Sequence, residues 1–561
     1  MDRTKLEEIL LQSWQHYQYY KIAPEGRPMA DLDLQDLSEG SRGHFLTFSE
    51  TISYVLFRAV IMKDQKTFKR TWKWAYENLW RVNVKKVFYW HENKWKALPE
   101  AEQDHLFCWR YTPNIKNSGV GGVIYYEWQF ETADDIWRDG HEVAPDGDEL
   151  IAGSLILAHE LWGSHKGIFN YKDHAKKILD DLWKKTVVFH NPLQLINWQD
   201  PSESWFTYHS PSTKISYDVN RGKVPSLSIT VRGSEWAGIG KTYEKLNLTN
   251  HRGLMLQYRG PAAQLIIENA WSEKITFELP AQKKWKNFEI KFNTKEHQTF
   301  LKQIKTIMFQ PASEGRWELS ALEIIGIKNQ GEYHLTSNAK GKIWINMSYY
   351  MPFLYQTVFS KVDKVHPWKK LIQASENDFE KSFALNSFEQ KIENKKILPP
   401  DWFMINAENR VDAVPFLSPF SPDAYLSSWD AIRVWWFFAV SQIQNASSKR
   451  KTLLKTAANF FKKMIVQKKY LPTGFTLDAK TIKHRDCHKE SFAANGCYLA
   501  LMIALKEDKL AEFLVAHTNK KFLKKDHFGY FWGEDPTEYY GNNWFWLGLA
   551  VYLGKLNFLK K

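Results

Sequence analysis

The chain has 561 residues, 44% of them hydrophobic and 25% charged, the balance of an ordinary globular protein long enough for two to four domains. Three cysteines (Cys108, Cys487 and Cys497) exclude a disulfide framework, and no apolar run approaches the ~20 residues of a membrane span. The net charge of +13 suits an anionic partner, but the lysines are scattered or in short pairs with no nucleic-acid motif, so a solvated surface is expected and no nucleic-acid partner is predicted.

Aromatic residues are the unusual part of the composition: 26 Trp, 25 Tyr and 35 Phe, many of them in polar loops (Trp95, Trp128, Trp205, Trp532). Such rings stack on CH-rich or π faces, which points to a sugar or a base. The N-terminus, MDRTKLEEILLQSW, reads as a charged amphipathic helix over 3–20 and not as a signal peptide, so the chain is expected to be cytoplasmic or to follow a removed leader. After a Gly/Pro/Asp-rich connection over 21–46, helices are predicted at 50–63 and 66–80. Thr47 and Ser49 are good cap residues there, and Ile52, Val55, Leu56, Ala59 and Val60 form the apolar face. Residues 85–145 read as a long aromatic loop region, the kind that walls a cleft, and helices resume at 148–163 and 172–186.

The period then changes. From 200 to 340 the chain offers short alternating runs: SLSITVR, GLMLQYR, AQLIIEN, KITFELP, NFEIKF, IKTIMFQ and ALEIIGI. Separated by turn residues, they predict a β-sandwich. Helical spacing returns at 350–359, 365–379, 430–444, 449–467, 488–505 and 539–555. The expected fold is therefore multidomain α and β: one all-α domain (1–199 and 341–561) interrupted by a sandwich (200–340), an insertion that works when the insert's ends lie close together.

Several tempting motifs fail on inspection. Gly240-Lys241-Thr242 ends like a phosphate loop, but the position of its first Gly is Glu235 and no strand-to-helix switch follows. His484-Arg485-Asp486 lacks the other parts of a kinase. His484, Cys487 and His488 have metal-ligand spacing but read as surface polar residues before a helix, and Asp146, Asp148 and Glu149 lack a calcium-loop pattern, so no metal site is predicted.

Three carboxylates at helix starts carry the chemistry: Glu50, the APDGDE stretch (Ala144–Glu149) and Asp430 in SWDAIR. A Glu at a helix start is often only a dipole partner, but three such acids suggest a polar floor at one end of a helical barrel. Glycosidic hydrolysis needs one protonated carboxyl to protonate the leaving oxygen and one carboxylate to activate water or attack. An apolar and aromatic setting, with Tyr54 four residues on, suits a raised pKa at Glu50, and Arg433, one helical turn after Asp430, suits an ionised base.

The segment SETISYVLFRAVIMKDQKTFKRTWKWAYENL resembles the SEG-x-x-Y segment of glycoside hydrolase family 8. LFCWRY, APDGDELIAGSLILAHELWG, MSYYMPFLYQTVF, ILPPDWF and WDAIRVWW resemble later blocks of that family, in the same order, over roughly 10–190 and 345–555. The resemblance implies an (α/α)6 barrel acting as an inverting β-1,4-glycanase, without metal or organic cofactor; a monomer is expected. By position it implies Glu50 as general acid, Asp430 as general base with Arg433 as its neighbour, and Asp146 as the residue holding the distorted sugar. It further implies Tyr349 near the attacking water, with Tyr350 as a register alternative, and Tyr54 and Trp109 as further substrate contacts.

The chain departs from the family at Thr51 (Gly in the family), at Val55, and in Arg433-Val434-Trp435-Trp436, which lacks the usual Pro. A base at Asp430 fits the endoglucanase and xylanase subfamily, so a β-1,4-glucan is the expected substrate. The alternatives are a xylanase or chitosanase on the same scaffold, or a non-catalytic carbohydrate-binding protein. The inserted strands resemble carbohydrate-binding jelly rolls in WAGIGKTYEKLNLTNHRGLMLQYRG and RWELSALEI, with Trp236, Tyr243, Trp271 and Trp285 either as sugar platforms or as core and edge aromatics.

Overall fold

The computed structural model describes residues 2–30, 46–84, 87–91, 94–97, 103–112, 122–125, 143–190, 205–220, 226–233, 235–246, 248, 253–292, 299–325, 332–336, 343–383, 398–405, 413–415, 426–477, 480 and 487–560. Among them the longer helices number twelve, once a continuous irregular stretch is counted as one. They are α1 Arg3–Lys21, α2 Ser49–Ile61, α3 Gln65–Asn78, α4 Pro145–Trp162 and α5 Tyr171–Thr186. The irregular α6 runs through Pro352–Leu354, a π-helical Tyr355–Phe359 and Ser360–Val362. Then come α7 Trp368–Ser382, α8 Ala431–Gln444, α9 Ser448–Lys468, α10 Phe492–Ala504, α11 Asp508–Phe522 and α12 Tyr540–Tyr552.

The even-numbered helices are inner and the odd-numbered ones outer, and their sequences say why. In α2, SETISYVLFRAVI, every residue except Glu50 is buried, and α4, α8, α10 and α12 are likewise covered on nearly all sides. A helix that is apolar all round has to lie inside. The neighbouring α3 buries only Thr67, Phe68, Thr71, Trp72, Trp74 and Ala75, a single stripe, and leaves its lysines in water. Inner helices pack in sequence, α2 on α4, α6 on α8, α8 on α10 and α10 on α12. Arg58 of α2 closes the ring by donating to Asn543 Oδ1 of α12 at 2.8 Å. Gly496 and Gly548 let α10 and α12 approach closely, since a Cβ on Gly548 would lie 2.3 Å from the Gly496 carbonyl oxygen.

The helices predicted from periodicity are all present, with ends shifted by a few residues and the 350–359 segment broken by its π turn. The sequence reading passed over α11. Its buried positions Ala511, Leu514, Val515, Thr518 and Asn519 do follow helical spacing, but two of the five are polar and dilute the pattern. Within the aromatic loop region, Val87–His91 pairs with Lys94–Ala97 and with Val123–Tyr125, while Trp128 lies outside the described residues, as do the side chain of Trp95 and the whole of His484.

Between the helical halves, ten of the described strands build two sheets: β1 Trp205–His209, β2 Lys214–Asn220, β3 Ser226–Arg232, β4 Ala237–Leu246, β5 Gly253–Gly260, β6 Ala263–Asn269, β7 Lys274–Leu279, β8 Gln282–Lys291, β9 Ile304–Pro311 and β10 Gly315–Ile325. They form two five-stranded antiparallel sheets, in the orders β7-β6-β9-β4-β1 and β8-β5-β10-β3-β2. Alternate residues of both sheets, among them Ile239, Ile267 and Phe309 of one and Ile229, Leu256 and Trp317 of the other, share one hydrophobic cluster separate from that of the helices. Gly240-Lys241-Thr242 lies inside β4, paired with Met308, Ile307 and Thr306 of β9, so it forms no phosphate loop. Where the chain leaves α5 and where it returns, Val187–His190 pairs antiparallel with Glu332–Leu335, and the Thr336 N–H donates to the Thr186 carbonyl at 2.8 Å.

Candidate active site

Four of the residues singled out from the sequence meet at one guanidinium. Glu50 lies in the first turn of α2, Asp146 in the first turn of α4, Asp430 caps α8 and Arg433 lies one turn into it. Arg433 Nη1 donates to Glu50 Oε1 and to Asp146 Oδ2, each at 2.8 Å. Its Nη2 donates to Asp430 Oδ1 at 2.6 Å and to Ser348 Oγ at 2.7 Å. Ser348 in turn donates to Asn346 Oδ1. Close approach of the helix starts makes this convergence possible: Gly147 stands where a Cβ would lie 2.6 Å from Ser49 Oγ, so a larger residue would push Asp146 away from Glu50. The start of α2 departs from the side-chain cap expected of it. Phe48 is the cap residue, Ser49 is already helical, and the Ser49 N–H is taken by the Trp109 carbonyl at 2.9 Å.

The acids differ in exposure. The side chain of Arg433 is 4% exposed, Asp146 7%, Glu50 20% and Asp430 36%, so the guanidinium forms a floor and Asp430 opens furthest towards solvent. Burial raises the pKa of Glu50 to about 7; Arg433 and the hydroxyl of Tyr54, which donates to Glu50 Oε1, pull it down, while Asp146 and Asp430 push it up. Burial also works against the charge of Arg433, but Glu50, Asp430 and Asp146 outweigh it and hold that pKa well above its usual value. Glu50 and Asp430 bond different nitrogens of one rigid fork, which keeps those two oxygens within about 8 Å of each other.

The remaining predicted residues divide. Tyr349, buried in the turn Met347–Tyr349, meets Trp402 edge to face at 5.4 Å. Trp402 donates its indole N–H to Asp430 Oδ2 at 3.0 Å. Tyr350 is committed elsewhere: its hydroxyl donates to Asp378 Oδ2 at 2.6 Å and accepts from the Leu335 N–H. Trp109 stacks on Phe48 at 5.5 Å beside the start of α2. Thr51 and Val55 are fully buried in the helix packing. Asp148 and Glu149 leave Asp146 for separate partners, the Phe107 N–H and the Tyr355 hydroxyl, so the three acids do not converge as a calcium loop would require. Cys487 is buried and His488 half-buried.

Sequence reasoning missed Ser348, Asp401 and Trp402. ILPPDWF stood out only as a block, and the signal in it was an Asp-Trp pair after two prolines. Asp401 is the anchor of the Asp430 turn: its carboxylate accepts the N–H groups of Ser428 and Ala431, both at 2.8 Å, and the Ser428 hydroxyl. Burial and then the neighbouring Asp430 raise its pKa to about 7, against the pull of those three hydrogen bonds. Among the proposed sandwich platforms, Tyr243 is buried, Trp236 and Trp271 are exposed, and the face of Trp285 is covered by the Arg259 guanidinium at 4.9 Å.

Comparison with known proteins places the resemblance in both sequence and fold. Residues 100–195 match the family described as Glycosyl hydrolases family 8. Endoglucanase C of Ruminiclostridium cellulolyticum is 35% identical over 80 residues, which span 14% of this chain and 16% of that relative. A catalytic mutant of a family 8 xylanase with xylohexaose and a family 8 xylobiose complex, both from Teredinibacter turnerae, each align over 99% of this chain and 94% of theirs with a TM-score of 0.50 at 14% identity, which shows a shared fold. The resemblance to family 8 read from the sequence is borne out, and the inner and outer helical layers are those of its (α/α)6 barrel.

Proposed function

We propose, with the family 8 resemblance as premise, that the chain is a glycoside hydrolase that cleaves a β-1,4-linked glucan with inversion. The observation that carries the reading is the sharing of Arg433 between two acids of unlike surroundings, Glu50 on one nitrogen and Asp430 on the other. In this reading Glu50, with its pKa raised to about 7, keeps its proton in about half of the molecules at neutral pH and delivers it to the leaving oxygen. Asp430, the more exposed of the two, takes a proton from water on the opposite face of the sugar. Asp146 holds the ring at the scissile bond, and Tyr349, Tyr54 and Trp109 line its approach. Inverting enzymes separate their carboxyl groups by roughly 6.5–9.5 Å and retaining ones by about 5–5.5 Å; the upper limit of about 8 Å set by the guanidinium admits both, and inversion here rests on the family resemblance.

Xylan is the second reading, because the aligned Teredinibacter turnerae structures hold xylohexaose and xylobiose, the first in a xylanase, while the curated relative is an endoglucanase. A chitosanase is disfavoured by the chain's own charge of +13, which repels a cationic polymer. The division into a barrel (1–199 and 341–561) with an inserted carbohydrate-binding-module-like sandwich (200–340) is supported by the two separate hydrophobic clusters and by the paired strands at the exit and return.

Reducing-sugar release from carboxymethylcellulose, mixed-linkage β-glucan, xylan and chitosan, for wild type beside Glu50→Gln, tests the reading. Activity on one polymer, lost in the variant, is expected. Binding without turnover on every polymer would leave a carbohydrate-binding protein instead. Proton NMR of the first-formed anomer decides between inversion and retention.

A further inference from the structure

The second sheet carries a cluster that the hydrolase reading does not use. On its outward face, beyond the alternation that buries Tyr258 and Trp317, Arg259 of β5 stands directly opposite Glu318 of β10. Arg259 donates from Nε to Glu318 Oε2 at 2.8 Å, and its Nη2 lies 2.5 Å from the same oxygen. Arg316 lies 3.5 Å from Glu318 Oε1 and donates from Nε to Ser228 Oγ at 2.9 Å. Glu318 is 7% exposed, so two guanidinia are oriented by one largely buried carboxylate. Together with Gln282 and Lys283 from the start of β8 they line a cavity of about 520 Å³, beside the Gly260-Pro261 turn. Three cationic groups against one acid leave a local charge of +2 at neutral pH. Each guanidinium spends only part of its five-donor fork on its partners, and its remaining N–H groups suit a second carboxylate. Arg259 also lies over the Trp285 ring, 4.9 Å from its centroid, a second contact that restricts the side chain before any ligand arrives.

We infer that this cavity binds the carboxylate of an acidic saccharide, a uronic-acid-bearing chain, through Arg259, Arg316 and Lys283. Its volume lies within the roughly 300–1,000 Å³ of small-molecule pockets. The same face continues as a row of side-chain amides and hydroxyls, Gln257 bonded to Asn287 at 2.9 Å and Ser320 donating to Gln257, which suits ring hydroxyls beside the charged group. The saccharide part of the inference rests on the hydrolase reading; the anionic part does not.

Isothermal titration of the full chain tests it with three probes: a xylo-oligosaccharide bearing one glucuronate, the neutral oligosaccharide of the same length, and sodium acetate. The acidic oligosaccharide is expected to bind at least tenfold more tightly than either of the others, and more weakly as salt rises. Arg316→Gln and Lys283→Ala, both at the solvent-facing rim, should each lower that affinity about tenfold or more, with the thermal transition and hydrolysis of a neutral polymer unchanged. Equal affinity for the neutral oligosaccharide, no effect of either substitution, or no binding of any probe would overturn the proposal. Acetate binding as tightly as the acidic oligosaccharide would overturn its saccharide part. Because the readout is binding, an inactive catalytic site leaves this result intact.

Discussion

Two polar clusters of this molecule, one in the barrel and one on the sheet, are mirror images in charge. In the barrel one cation, Arg433, gathers three acids; on the sheet one acid, Glu318, gathers two cations. What separates them is water. Arg433 is 4% exposed, whereas the side chains of Arg259 and Arg316 are 43% and 63% exposed. In the buried cluster charges act over short distances with little screening, so protonation states shift and removing one partner strands the others. At the surface solvent screens the same contacts, which leaves them cheap to break and ready to exchange a partner. Similar side chains thus make a buried, preorganised charge cluster in one region and a solvent-screened one, open to exchange, in the other.

The sharpest test of that contrast is Arg433→Ala. It leaves Glu50, Asp146 and Asp430 facing one another, and a loss of about 3–5 kcal/mol in urea unfolding, with activity below detection, is expected. Arg433→Lys should recover only part of either property, because an ammonium cannot serve acids on two nitrogens.

Next in size is Glu50→Gln, for which a rate loss of about 10²–10⁴ is expected. Stability should move the other way. The native pKa of Glu50 is raised to about 7 from 4.5, so the native state holds a proton that the unfolded chain has released. Its ionisation therefore destabilises the fold, not at all below about pH 4.5 and fully above about pH 7. The Gln variant should be more stable than wild type above pH 7, by on the order of 1–3 kcal/mol, and equal to it at pH 4. For the same reason wild-type kcat/KM should fall as pH rises through about 7, and a profile flat to pH 9 would remove Glu50 from the acid role.

Asp401→Asn should cost about tenfold in kcat with KM little changed, since an amide has one acceptor oxygen for the turn that carries Asp430. A raised KM with kcat intact would assign Asp401 to substrate binding. The smallest effect belongs to the sheet: Arg316→Ala should alter stability by less than about 1 kcal/mol, because its guanidinium is 63% exposed and Glu318 keeps its bonds to Arg259. A loss as large as that of Arg433→Ala would break the contrast between the clusters.

Much of this was legible in the sequence. Apolar spacing marked eleven of the twelve helices, alternation marked seven of the ten strands, and Asp430 with Arg433 formed a local pair because residues three apart share a helix face. The residue types and helix starts of Glu50, Asp146 and Asp430 were visible for the same local reason. Their partnership was not. Arg433 reaches Glu50 across 383 residues, and only the ring of inner helices decides that their starts face one another. Tertiary contacts also separated Tyr349 from Tyr350, adjacent in sequence but turned towards Trp402 and Asp378 respectively, and laid Arg259 over Trp285. Short-range periodicity determines where helices and strands form. Which charges share a low-dielectric space, and hence which carboxyl keeps its proton, depends on packing between segments far apart in the chain.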